Sequence, residues 1–267
     1  MNQVSSKQHS LPPRVESPSL FTWLVAIVLL AFFINGITAA NITTDRLYNG
    51  VFNLGTFLGE AFPPKMDRVD VIAKAMLETF QMAIVGVVIG VILSLPMAVL
   101  CARNTSPHPI IRISCVNIVS TFRTIPDLVW ALVFVIAVGL GPLAGILAIV
   151  MDTIGFCARF FAERIEEVDP GPSRALNAIG AKPSGVIMGA IIPECLPSFV
   201  ATSLYSVEKA IRSAVVLGLV GAGGIGVELS ASMNLFRYDQ ALTVILSILV
   251  VVIGVERISA QIRKRIL

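Results

Sequence analysis

Charge is what this sequence has least of. Charged residues make up 14% of its 267 positions, against roughly a quarter in ordinary soluble domains. Hydrophobic residues reach 55%, and the mean hydropathy is +0.85. A soluble chain of this length needs more charge to cover its surface, so composition argues against a soluble enzyme. The net charge of +3, from 20 Lys+Arg and 17 Asp+Glu, is too small for a nucleic-acid footprint. Cysteine and histidine are scarce as well. Cys101, Cys115, Cys157 and Cys195 are spread along apolar stretches without a C-x-x-C pair, and the only histidines are His9 and His108. That excludes a disulfide framework, a zinc site and the reactive cluster of a membrane enzyme, and the cysteines read as small buried thiols. No G-x-x-x-x-G-K-[ST] occurs either, so the chain cannot cradle nucleotide phosphates.

What is present is a series of long apolar runs. A membrane span needs about 20 mostly apolar residues. The first candidate, Leu20–Ala40, follows Lys7 and Arg14. A signal peptide is the alternative, but the run is long for one, and an uncleaved anchor fits the polytopic remainder better. The second run lies between Glu78 and Arg103. In it Gly86, Gly90, Ser94, Ala98 and Ala102 recur at every fourth residue, giving a face of small side chains that another helix can approach closely. Pro96 is expected to kink this helix. Further spans are expected at about Ile113–Val138, Leu143–Phe161, Phe199–Val220 and Ala241–Val255, with Gly139-Leu140-Gly141-Pro142 as a tight turn. The reading is an all-α polytopic membrane protein of about six transmembrane helices. It divides into 1–74 (N-terminal tail, first helix and an external connection, Asn41–Lys74) and a core of about five spans over 75–267. With the N-terminus inside, twelve Lys and Arg fall in inner segments and five in outer ones. By the positive-inside rule both termini are then cytoplasmic.

The longest inner loop, at about 162–198, turns at Pro170-Gly171-Pro172. Ser173 is placed to cap a short helix Arg174–Ile179, and Gly180 to end it. A second short helix, Ser184–Ile192, is expected to stop before Pro193. This stretch resembles the signature loop of ABC-importer permeases, Glu-Ala-Ala, three residues, Gly, nine residues, Ile-x-Leu-Pro. Ala175, Gly180 and Pro193 fall at matching spacing, whereas Arg174, Leu176, Ala190 and Ile192 replace the Glu, second Ala, Ile and Leu. Ser120–Ala131, Val138–Pro142, Glu166–Ala181, the Leu204-Tyr205…Glu208…Arg212 pattern and Leu217–Gly226 resemble the phosphonate-type branch. The likeness extends from about Glu78 to Arg265.

The resemblance implies a type I importer permease (MetI-like) fold, in a subunit that imports phosphonates, phosphite or phosphate across the bacterial inner membrane. It implies a homodimer on two ATP-binding subunits, fed by a periplasmic or lipid-anchored binding protein. ATP and Mg would be bound by the ATPase, with no cofactor or metal in this chain. The short helix would be the coupling helix, with Asp169, Pro170, Gly171, Pro172, Arg174, Ala175, Leu176, Ala178, Gly180, Ala181 and Pro193 as its ATPase-docking residues.

Two features remain. Gly221-Ala-Gly223-Gly224-Ile-Gly226 imitates a dinucleotide fingerprint, but membrane-length flanks replace the required βαβ unit. A glycine turn is the better reading, and its amides could brush a passing anion. Charges inside spans usually face a partner or a water-filled path. Glu208 and Arg212 are i,i+4 and can pair. Alternatively Arg212 and Arg123 offer positive potential to an anion, in a translocation path with Asp152, Glu208, Gly221, Gly223 and Gly224. Family members commonly carry His where this chain has Asp152. The rival class, an ion-coupled secondary transporter, would show repeated broken helices about midplane sites, and no inverted repeat is visible.

Overall fold

The computed structural model describes residues 19–41 and 43–266; the N-terminal tail with Lys7, His9 and Arg14 lies outside them. Every regular element among these residues is helical. In order they are α1 (Leu20–Ala39), α2 (Thr44–Ala61), α3 (Val69–Cys101), α4 (Pro109–Thr124), α5 (Asp127–Val138), α6 (Pro142–Glu167), α7 (Pro170–Ala178), α8 (Pro183–Val186), α9 (Ile192–Gly218), α10 (Ile225–Asn234) and α11 (Tyr238–Ile266). A π-helical turn, Ile187–Ile191, joins α8 to α9. Five stretches among the described residues are long and apolar enough to cross a membrane: α1, α3, α6, Pro183–Gly218 and α11. The pair α4 and α5 makes a sixth if its 90° bend is one broken span.

The chain divides between Leu58 and Gly59 into two compact units. In the first, Ser19 caps α1 by accepting from the Thr22 N–H at 3.3 Å. In α2, Leu47, Val51, Leu54 and Leu58 recur at helical spacing along one stripe. The second unit reaches further back than the expected boundary at 74/75. Ile72 in the first turn of α3 is buried with Ile225 and Val244. The preceding loop is pinned to α11, where Thr243 donates to the Lys65 carbonyl at 2.8 Å.

Within this unit α3 and α6 form the most extensive contact. The small-residue stripe of α3 explains it. A Cβ on Gly86 would lie 2.6 Å from Ile149 Cγ2, and one on Gly90 would lie 2.5 Å from Thr153 Cβ. The partner side chains, four residues apart on α6, fill the space that the glycines leave. Farther along α6, a Cβ on Gly155 would lie 2.8 Å from the Arg123 backbone nitrogen. Glycine there lets the end of α4 touch the middle of α6. Through Pro96 α3 runs on as one helix.

Three expected boundaries move. The third span is two helices, because Pro126 disfavours helical geometry at Ile125, which is extended at ψ 121°. The Trp130 indole N–H then donates to the Phe122 carbonyl at 3.5 Å, holding α5 against α4 across the bend. The fourth span continues to Glu167, so the inner loop starts later than 162. No stop occurs before Pro193. Its missing N–H and bulky ring disturb the ladder toward Gly189, the helix widens into the π turn, and α9 continues.

The expected Glu208–Arg212 pair also fails. Glu208 is buried on the α9 face turned to α11, where Arg263 reaches its Oε1 at 2.6 Å and bonds Ser259 Oγ at 2.9 Å. Arg212, one turn on, is exposed. The Glu208 side chain is only 5% accessible, so the pair clamps α11 to α9 rather than lining an open path.

Two outcomes follow from this packing. Gly90→Leu forces α3 off α6 and should cost about 1–3 kcal/mol, read as a lower melting temperature in detergent, with Gly36→Leu unchanged as control. Arg263→Ala strands a buried carboxylate and should cost on the order of 3–5 kcal/mol. Adding Glu208→Gln to that variant should restore most of the lost melting temperature.

Candidate functional site: the loop before α9 and a charged cluster within the spans

The segment joining α6 to α9 is held at both ends. At its root Glu166 accepts from the Arg103 backbone N–H at 2.8 Å, and Asn104 Nδ2 donates to the Ile165 carbonyl at 2.7 Å. These bonds tie the end of α6 to the α3–α4 connection. The cap of α7 is Asp169 rather than Ser173: its carboxylate accepts from the Gly171 N–H at 2.9 Å, and Pro170 opens the helix. At the other end Gly180 adopts φ +81°. The Ala181 N–H donates to the Leu176 carbonyl at 3.1 Å and the Gly180 N–H to Asn177 at 3.0 Å. These are the two bonds of a Schellman motif, which needs a left-handed residue at that position.

One side of α7 is braced. Gly189 of the π turn lies beneath Leu176, where a Cβ would sit 3.5 Å from Leu176 Cδ1. No α7 residue is buried. Arg174, Ala175, Ala178 and Gly180 are exposed, as are Pro170, Gly171 and Pro172. Ile179 and Met188, at 80% and 69% accessible, add apolar surface beside them. Ala181 is half-buried, and Pro193 is exposed but belongs to α9. Most of the expected docking set therefore shares one short, braced element; Pro193 shapes the turn that braces it.

The second constellation lies within the spans. Asp152, near the middle of α6, accepts from Lys209 Nζ of α9 at 2.7 Å. The ammonium also stands 5.1 Å from the centroid of Phe156, a favourable cation–π distance. Phe156 packs on Tyr205 with ring centroids 5.6 Å apart. Gly155, one turn from Asp152, carries the Arg123 backbone at the end of α4. Arg212 follows Lys209 by three residues on α9. Arg123 and Arg212 are exposed and have no ion-pair partner among the described residues. Lys209 and Arg212 of α9 thus stand with the Asp152 carboxylate of α6, and one turn along α6 Gly155 carries the backbone of Arg123. Lys209 is the member absent from the expected path; its charge within an apolar span, between Glu208 and Arg212, was the available signal.

The glycine turn is engaged elsewhere. Gly221, Gly223 and Gly224 have φ of +84°, +88° and +73°, a run that L side chains adopt only with strain. The Gly224 N–H donates to Glu78 Oε1 at 3.0 Å and the Ile225 N–H to Thr79 Oγ1 at 2.8 Å. Gly141 donates to the Gly221 carbonyl at 3.0 Å. The amides of Gly224 and Ile225 are therefore held by α3 rather than offered to an anion, and the adjacent cavity of about 390 Å³ is lined by Glu78 and Glu228. The turn staples one end of α3, α6 and α9 together. It precedes a helix but follows another helix, which removes the nucleotide reading. A groove of about 490 Å³ between α3 and α11 is lined by Met66, Ile72, Met76 and Leu246 among others, without a charged residue, and does not suit an anion.

Comparison with known proteins places this architecture. Residues 86–267 match the family described as binding-protein-dependent transport system inner membrane component. The phosphite transport system permease protein PtxC of Stutzerimonas stutzeri is 38% identical over 238 residues, covering 89% of this chain and 85% of that protein. The phosphate-import permease protein PhnE of Mycolicibacterium smegmatis is 35% identical over 262 residues, covering 98% of this chain and 48% of that protein, so the chain spans about half its length. In three dimensions the fold is similar to a chain of the MetNI methionine ABC transporter in inward-facing form, with a TM-score of 0.66, 21% identity and coverage of 76% of this chain and 100% of that one. The MetI-like helical fold, the multi-pass span pattern and the family match agree: the chain belongs to the binding-protein-dependent transport system inner membrane component family and is the membrane permease of an ABC importer.

Proposed function

We propose that this permease imports a phosphorus oxyanion, of the class phosphonate, phosphite or phosphate. It works as a homodimer on two ATP-binding subunits that hold ATP and Mg, receiving substrate from a periplasmic or lipid-anchored binding protein. Both termini face the cytoplasm of the bacterial inner membrane, in keeping with the twelve-to-five bias of Lys and Arg. The named roles of the phosphite and phosphate relatives support the substrate class. The observation that carries it is the pair of exposed arginines within the spans, Arg123 and Arg212, which have no ion-pair partner among the described residues. Exposed arginines are costly in hydrocarbon, so these side chains belong against a second copy or a water-filled path.

The braced α7 supports the coupling role. A short helix fixed at both ends and backed by the π turn passes a push into α6 and α9 instead of absorbing it. Its Asp169–Ala181 residues would dock on the ATPase, and closure of the ATPase pair would shift the two bundles as rigid bodies.

Proteoliposomes holding the permease with its ATPase should take up phosphite or phosphate only with ATP and binding protein. Uptake by this chain alone, driven by an ion gradient, would contradict the proposal. Arg212→Gln should lower uptake while leaving assembly intact. Gly180→Val strains the left-handed cap by roughly 1–2 kcal/mol and should lower uptake per ATP hydrolysed, with the complex still formed.

A further inference from the structure

Two neighbouring residues of α9 make two ion pairs that differ in exposure. Glu208 with Arg263 is the more closed: the carboxylate is 5% and the arginine side chain 25% accessible, and the guanidinium nitrogen also bonds Ser259. Lys209 with Asp152 is open, with side chains 34% and 22% accessible. Asp152 uses only Oδ1 in this pair. Lys209 has no second hydrogen-bond partner among the described residues, only the face of Phe156. Arg212 follows on the same helix one turn away, and the backbone of Arg123 packs on Gly155, one turn from Asp152. An anion that approaches Lys209 therefore competes with the Asp152 carboxylate, and Arg212 adds positive charge one turn along α9.

We propose that Lys209 is a substrate ligand and that Asp152 is an internal stand-in for the substrate, displaced from Lys209 when a phosphorus oxyanion arrives. The inference rests on the anion-import reading and deepens it. A carboxylate and a phosphoryl or phosphite group present similar oxygens to an ammonium, and both form charge-assisted hydrogen bonds. The multiply charged oxyanion gains from Arg212, one turn along α9, as well, so exchange at Lys209 favours it when it is present. With no substrate, Asp152 neutralises Lys209 and removes the cost of an unpaired cation within the spans.

The position of the pair links it to coupling. Asp152 is on α6, Lys209 is on α9, and α7 with the π turn is the connection between them. Motion of α6 against α9 stretches this pair directly. The pair is partly open and has a single hydrogen bond, so an anion can exchange into it. The closed Glu208–Arg263 pair keeps α11 with α9 throughout.

The test uses the complete transporter in proteoliposomes and in detergent, with phosphite, inorganic phosphate and methylphosphonate as probes. Anion binding is read as the rise in melting temperature with probe concentration, and transport as ATP-dependent uptake. Asp152→Asn should shift the anion response of the melting temperature to about tenfold lower concentration, since the competing charge is lost while the side-chain shape is kept. Lys209→Gln should abolish that response and cut uptake by about tenfold or more, with Lys209→Arg restoring part of both. The exchanged pair, Asp152→Lys with Lys209→Asp, should keep the ionic contact and the melting temperature but lose uptake. Wild-type uptake in the exchanged variant, or an unchanged anion response in Asp152→Asn, would overturn the proposal and leave a structural ion pair. Should Lys209→Gln fail to assemble, the Asp152→Asn response decides. A wild-type complex that takes up none of the probes would instead sink the anion-import reading itself.

Discussion

A charge placed in hydrocarbon must find a partner or water, and the arrangement of this permease follows from how its few intramembrane charges meet that demand. Glu208 is satisfied by Arg263 and Ser259 in a nearly closed site, which fixes α11 on α9. Asp152 and Lys209 satisfy each other in a half-open one, which connects α6 to α9 without sealing them. Arg123 and Arg212 are left exposed on the monomer. Their exposure requires that each face something other than acyl chains. The same shortage of charge that marks the protein as membrane-embedded makes each remaining charge informative.

Close packing supplies the frame on which those charges are positioned. Apolar side chains gain little by leaving lipid for one another, so helix pairs rely on shape. Gly86 and Gly90 receive Ile149 and Thr153, and Gly155 receives the backbone of Arg123. The α4–α5 bend ends a helix within the bundle, and that ending sets the backbone of Arg123 on Gly155, one turn from Asp152. From this cluster α6 runs without interruption to Glu167, two residues before the cap of α7. The element proposed to dock on the ATPase and the charged cluster thus share α6 on one side and the π turn with α9 on the other.

Much of this was legible in the sequence, for physical reasons that differ by element. The small-residue stripe of α3 announces a close helix contact because its four-residue period puts one face in register, but it does not name α6 as the partner. Gly180 ends α7 as its position indicates, since few residues but glycine suit φ +81°. The cap was misplaced by four residues: Ser173 and Asp169 are both good acceptors, and Pro170 at the first helical position decides between them. Pro193 gives the opposite lesson, for a helix backed by tertiary packing absorbs a proline by widening. The Glu208–Arg212 pair followed from spacing along a single helix, whereas the actual partners lie 55 and 57 residues away for Glu208 and Lys209. Local periodicity carries no information on such contacts. The family resemblance supplied the architecture, and the geometry supplied Lys209, Arg263 and the roles of Glu78 and Thr79 at the glycine turn.

The central claim is that Arg123, Lys209 and Arg212 face water within the assembled transporter. Its most direct measurement is thiol accessibility in native membranes. Single cysteines at Arg123 and Arg212, in a background with the four buried native cysteines replaced, are exposed to a charged, membrane-impermeant thiol reagent during ATP turnover. Val250→Cys on the exposed apolar flank of α11 serves as the lipid-facing control. The account predicts that both arginine positions react, that phosphite slows them, and that the Val250 position does not react. Arginine positions as unreactive as the control would contradict it.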